Sequence, residues 1–302
     1  MDVPTGSVPT TPANAVPTVP DPDNAAKPSA GLHPPCPPIG DTGLMELWIS
    51  AGLCAVTMFA LWLWQRGSGR ADWVDVAWAA LVGVQVLFFA VVGDGSIEKR
   101  ALAVLVACTW SFRLTWHLSV RLAGHDEEDG RYKAMREAFN EKANFGFLLF
   151  YAAQALVAWL FALPAWVVAN DPSGDWTVLV FAGLAFWVVS LVGESIADRQ
   201  LAAFKKNPDN KGKVCDVGLW KYSRHPNYFF EWLHWFSYPL IAWGAPNHWV
   251  AWLGPVVMLL FLYRVSGIPY TEKQSIKSRG DAYREYQERV SAFFPWPPKS
   301  KR

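Results

Sequence analysis

Residues 218–231, GLWKYSRHPNYFFE, crowd reactive side chains into one short run. Lys221, Arg224 and His225 precede a helix-opening proline, Pro226, and Asn227 and Glu231 follow four residues apart. A helix starting at Pro226 puts Asn227 and Glu231 on one face, with His234 after them. A second set lies upstream. Glu194 and Asp198 are one turn apart and Lys205 lies seven positions further on, so a continuous helix carries all three on one side. Arg113 and His117 repeat the one-turn spacing, Asp72 and Asp75 are near neighbours, and Tyr263 adjoins Arg264. Carboxylates and an amide accept hydrogen bonds from ribose hydroxyls and amides, while Lys205, Arg224 and Arg264 donate to phosphates. A cofactor containing adenosine needs both kinds of group.

The elements that must position these residues are membrane helices. Of 302 residues, 52% are hydrophobic, with 18 Trp and 18 Phe. The apolar residues come in blocks close to the roughly 20 residues that cross a bilayer as helix. Seven such blocks lie at about 44–64, 73–92, 101–118, 145–168, 176–196, 228–243 and 249–267. Trp62, Trp64, Trp73, Trp176, Trp243 and Trp249 cluster at block ends, as an interfacial aromatic belt requires. Lysines and arginines fill alternate loops, at 66–71, 119–144 and 197–227, and the segment after 267. The loops between carry only Lys99 and Arg100. The alternation predicts an all-α, polytopic bundle of about seven transmembrane helices, N-terminus outside and C-terminus cytoplasmic. Its net charge of +1 hides a cationic cytoplasmic face. Residues 1–42 form a tail whose first 40 positions hold 11 of the 22 prolines, too poor in apolar residues to fold; 43–302 form the membrane domain. The first span serves as an uncleaved targeting signal, to the inner membrane of a bacterium or the endoplasmic reticulum of a eukaryote.

Several chemistries are excluded. Cys36, Cys54, Cys108 and Cys215 are far apart, with neither a disulfide framework nor metal spacing, and the six histidines form no close pairs. GSGRAD at 67–72 and GDGSIE at 93–98 lack the third glycine of a dinucleotide fingerprint, and P-loop, HExxH and GxSxG motifs are absent. Nothing marks a nucleic-acid partner. The acids in HDEEDGRYKAMRE, followed by bases, mark a helix start rather than a cation site. Ionisable groups inside spans are functional candidates by default, and most of these sit at the cytoplasmic ends of their helices.

GESIADRQLAAFK (193–205), GLWKYSRHPNYFFE, GIPYTEKQ (267–274) and RGDAYREYQERVSAFFPW (279–296) resemble the bacterial branch of the steroid 5α-reductase-like membrane enzymes. The resemblance implies a seven-helix bundle with NADPH in a cytoplasmic-facing pocket and a lipid substrate taken from the bilayer. It implies that Asp198 and Lys205 contact the cofactor and that Glu194 adds a polar contact. Asn227 and Glu231 would grip the nicotinamide half, with Tyr222 in the same motif, and Arg264 and Arg289 would contact phosphates. Phe230 departs from the family's usual glycine before the glutamate. The Gln-Glu pair and tyrosine of classical steroid reductases are also missing. An acid must still polarise the substrate carbonyl, and the candidates, in order, are Asp75, His117 and Tyr132. The substrate class is an unsaturated isoprenoid, acyl or sterol-like lipid.

Arg-His-Pro before an aromatic is also similar to the motif of isoprenylcysteine and phospholipid methyltransferases. In that reading S-adenosylmethionine is the cofactor, and Arg224 or His225 holds its carboxylate. A third reading, a transporter without chemistry, predicts internal repeats and polar residues at the midplane; the sequence has no such repeat. The cationic residues near the motifs favour NADPH.

Overall fold

The computed structural model describes Met1 and residues 40–124, 127–265 and 267–300. Most of the proline-rich tail, like His125 and Asp126 of the acidic run, lies outside the described residues. Among the described residues there are helices but no strands, and one isolated parallel bridge joins Ser223 to Ser291. The long helices are α1 (Asp41–Ser68), α2 (Trp73–Val92), α3 (Ile97–Ala123), α5 (Ala143–Ala169) and α6 (Val178–Lys206). A short α4 (Gly130–Phe139) precedes α5. The chain ends in α7 (Pro226–His234), α8 (Ser237–Ile241), α9 (Leu253–Leu260), α10 (Ile268–Arg279) and α11 (Asp281–Arg289).

Local sequence explains the starts. Ser96 caps α3 by accepting from the Lys99 amide, Thr177 caps α6 through Val180, and Asp129 caps α4 through Arg131. The acidic run is thus a helix start. Pro226 occupies the first turn of α7, where its missing N–H costs nothing.

Among the described residues six helical stretches are long and apolar enough to cross a membrane, the last beginning at His248. They fit an integral, multi-pass membrane protein. The block at 228–243 is the exception to the expected seven: it is two short helices, not one span. Trp235, Tyr238, Pro239, Ile241 and Ala242 are buried in the bundle, so this apolar run serves the core instead of facing lipid. The segment nevertheless runs alongside α3. Glu231 meets Trp110, and the Ile241 carbonyl accepts from Lys99 at 2.9 Å.

The main core packs α2, α3 and α5 against this broken segment and α9. Two glycines permit the closest approaches. A Cβ on Gly83 would collide with Ser111, whose hydroxyl donates to the Ala79 carbonyl at 2.7 Å. A Cβ on Gly193 would strike the ring of Phe230. Phe230, the departure noted in the motif, is therefore accommodated by a glycine on α6.

Candidate functional site

Three helices converge on Arg113. Its guanidinium pairs with Glu194 and, at 3.4 Å, with Asp198. Both carboxyls come from α6, one turn apart as their spacing predicts. Asn227, in the first turn of α7, donates to Asp198 at 3.3 Å, and its own Oδ1 is buried with no partner. Glu231, one turn further along α7, accepts from the Trp110 indole at 2.9 and 3.0 Å and from Trp235 at 3.3 Å. Trp110 and Trp235 are fully buried. His234 stacks on Trp110 and meets the Tyr238 hydroxyl at 3.2 Å. The result is an aromatic-walled core in which three carboxyl groups and an amide surround one guanidinium.

A cavity of about 350 Å³ adjoins this core. Lys205 from α6, the 214–228 segment, and Ser275, Arg279, Tyr283 and Tyr286 from α10 and α11 line it, and Arg121 reaches it from α3. Arg224, His225 and Asn227 line it from the motif. Asn227 thus belongs to both cavity and core. Burial pushes the Cys215 thiol above its usual range, and burial, reinforced by nearby Glu272, pushes the Tyr283 phenol up to about 12. Both stay neutral near pH 7, so the charge of this wall comes from its lysine and arginines.

The C-terminal segment forms one wall because the motif holds it there. Arg224 pairs with Glu272 at 2.6 Å and donates to the Gln287 carbonyl at 3.0 Å; its amide donates to Ser291 at 2.9 Å. His225 reaches Glu272 at 3.4 Å, and Gln287 donates to the same carboxyl at 2.9 Å. Ser223 donates to the Phe293 carbonyl at 2.8 Å, and the Tyr286 hydroxyl donates to the Trp220 carbonyl. Glu272 joins three partners, so Glu272→Leu, which leaves Arg224 facing no carboxylate, should loosen α10 and α11. Limited proteolysis should then cut after residue 267 several-fold faster than in the unaltered protein; equal rates would refute this role.

The structure gathers some of the expected residues and separates others. Lys205, Arg224, His225 and Asn227 share the cavity, and Glu194, Asp198 and Glu231 lie behind it. Arg224 does not present a free guanidinium for phosphates, because Glu272 and backbone carbonyls occupy it. Arg264 is exposed on a π-helical turn, Phe261–Val265, and does not line the cavity. Arg289 faces Asp216 at 3.7 Å. The Tyr222 ring is exposed, while its carbonyl accepts from Trp296. Of the candidate acids, Asp75 and Tyr132 bond each other at 2.8 Å, and Arg131 holds Asp75 at 2.8 Å. They form a separate cluster between α2 and α4. His117 is exposed beside Arg113 in a groove between α3 and α6.

The sequence reading missed the central role of Arg113, although its spacing to His117 was visible. Trp110, three positions before Arg113 on the same helix face, was the missing signal. Glu272 lies in the GIPYTEKQ stretch that carries the resemblance, but no spacing assigns it a role.

The chain belongs to the family described as protein of unknown function (DUF1295), whose model it matches over residues 61–290. It is 28% identical over 267 residues to an uncharacterized protein, C594.04c, of Schizosaccharomyces pombe, covering 77% of this chain and 74% of that one. It is also 38% identical over 72 residues to a probable O-methyltransferase, ustE, of Ustilaginoidea virens, covering 23% of this chain and 25% of that one. Neither relative ties the chain to a bacterial branch. No solved structure gives a significant match.

Proposed function

We propose that the protein is a membrane reductase that uses NADPH to reduce an activated C=C bond of a lipid. The observation that carries this reading is the continuity of a cation-lined cavity with the Arg113 core through Asn227. Lys205, Arg121 and Arg279 suit the phosphates of a dinucleotide at the rim. The unpartnered Oδ1 of Asn227 suits a carboxamide N–H at the floor. NADPH, when bound, supplies the hydride. The residues of the chain do the rest: they orient the nicotinamide end against the core, and Trp110, Trp235 and Phe230 keep water from it. On this reading the cavity opens to the cytoplasm, as the loop charges predict.

One observation favours a second reading. The likeness to the probable O-methyltransferase, together with a carboxyl-rich floor that also suits a sulfonium, supports S-adenosylmethionine in the same cavity.

Thermal-shift titrations of detergent-solubilised protein with NADPH, NADH and S-adenosylmethionine separate the two. NADPH should raise the midpoint by mass action, and Lys205→Glu should weaken that response at least about tenfold while leaving the unliganded midpoint in place. A shift with S-adenosylmethionine alone would overturn the reductase reading.

A further inference from the structure

Arg264, which misses the cofactor cavity, belongs to a second surface at the end of the last apolar stretch. Val256 and Leu260, one turn apart on α9, are exposed and precede Tyr263 and Arg264 on the π-helical turn. The apolar stripe of this helix therefore ends at a guanidinium. Two other segments meet it there. The Tyr263 ring packs edge-on against Phe293, and Phe293 against Phe294. Phe294 also touches Phe229 and Trp232 of α7. The Ser223–Ser291 bridge, and the bond from the Trp296 amide to the Tyr222 carbonyl at 2.9 Å, hold the segment after α11 beside the motif. Phe294 and Trp296 are nevertheless 53% and 71% exposed. Aromatic rings left open at the end of a span belong in the head-group layer of a bilayer.

The charge of this face has one sign. Residues 217–230, 253–271 and 289–300 contain no Asp or Glu. Of their cations, Arg224 is matched by Glu272, and Arg289 faces Asp216. Lys221, Arg264 and Lys299 are exposed and form no ion pair among the described residues. Of the acids bordering these runs, Glu231 is buried against Trp110, and Glu288 is exposed on α11. Other cations at the same ends of the helices are neutralised: Arg70, Arg131, Lys133 and Arg136 each pair with a carboxylate. Unmatched cations beside exposed aromatic rings, at the foot of an apolar stripe, complement an amphiphile with a negative head and a hydrocarbon chain.

We infer that this face binds an anionic phospholipid of the surrounding bilayer: Arg264 takes the phosphate, an acyl chain lies along Leu260 and Val256, and Lys221 and Lys299 supply the remaining charge. The site is separate from the cofactor cavity and independent of which cofactor that cavity takes. The lipid is a fixture here and not a reactant. Because α10 and α11 lie in the chain between Arg264 and Lys299, it fastens the wall of the cavity to the end of the last span.

Native mass spectrometry of the full-length protein in detergent tests it. Phosphatidylglycerol and phosphatidylcholine with identical chains are added in equal amounts, and the lipid retained on the protein is counted. Phosphatidylglycerol should be retained at least about tenfold more strongly, the factor for one charge-assisted hydrogen bond. Arg264→Gln should remove about tenfold of that preference, and Lys221→Gln or Lys299→Gln about fivefold each. Lys142→Gln removes an exposed cation just before α5, outside this face, and should change nothing. On the unaltered protein, raising the ammonium acetate concentration should weaken the preference. Equal retention of the two lipids, or a preference indifferent to salt, would overturn the site. A loss in Lys142→Gln as large as that in Arg264→Gln would show diffuse attraction to the whole charged surface and overturn it too. An unchanged preference in Arg264→Gln would overturn the placement of the phosphate. Displacement of the lipid by inorganic phosphate at constant ionic strength would reassign the face to a soluble anion.

Discussion

Arg113→Met should lower the unfolding midpoint of the detergent-solubilised protein by on the order of 10 °C. Glu194 and Glu231 are buried, Asp198 is partly buried, and Arg113 is the guanidinium that faces them. Removing one partner of a buried ion pair leaves an uncompensated charge, which costs about 3–5 kcal/mol. Methionine fills a similar volume, so the loss reports charge and hydrogen bonding and not a cavity. Arg113→Lys should recover only part of the loss, because one ammonium cannot bridge Glu194 and Asp198 as the guanidinium fork does. A control separates structure from binding: Lys205→Glu, at the cavity rim, should leave the unliganded midpoint in place. If Arg113→Met melts within about 2 °C of the unaltered protein, the core is not held by this charge cluster.

That cluster shows what the sequence can and cannot convey. Helix periodicity put Glu194 with Asp198, and Asn227 with Glu231, and the structure keeps both pairs because each lies on one unbroken helix. Which helix supplies the opposing cation is a matter of packing between segments more than 80 residues apart, and no local spacing encodes it. The same limit explains Arg224. Its place beside Asn227 made it look like a phosphate ligand, but Glu272, 48 residues later, takes its guanidinium. The block at 228–243 had the composition of a span. Its fate depended on being buried by α3, α5 and α6, which hydropathy along one segment does not measure. Phe230 looked like a departure from the motif. It became intelligible only when Gly193 was found beneath its ring.

Lys99→Met, at the start of α3, should be about as damaging as the Arg113 change. Lys99 read in the sequence as a loop charge. In the structure its side chain is 3% exposed, and its ammonium pairs with Asp171 at 2.8 Å and donates to the Ile241 carbonyl at 2.9 Å; the Asp171 side chain is 2% exposed. One lysine thus ties the start of α3 to the connection after α5 and to the end of the broken segment α7–α8. The single change strands the Asp171 carboxylate at a cost of about 3–5 kcal/mol, again on the order of 10 °C in midpoint. The double change Lys99→Met with Asp171→Leu removes both charges and should restore most of that loss, since a buried pair is often no better than apolar groups of similar size. What the double variant should not restore is the lysine's bond to the Ile241 carbonyl, a residual of about 1–3 kcal/mol. A double-mutant cycle in thermal unfolding reads the coupling directly. A double variant as unstable as Lys99→Met would show that the lysine acts through Ile241 and not through Asp171. On the reductase reading, because this pair sits fourteen residues from Arg113 along α3, the restored protein should also respond to NADPH.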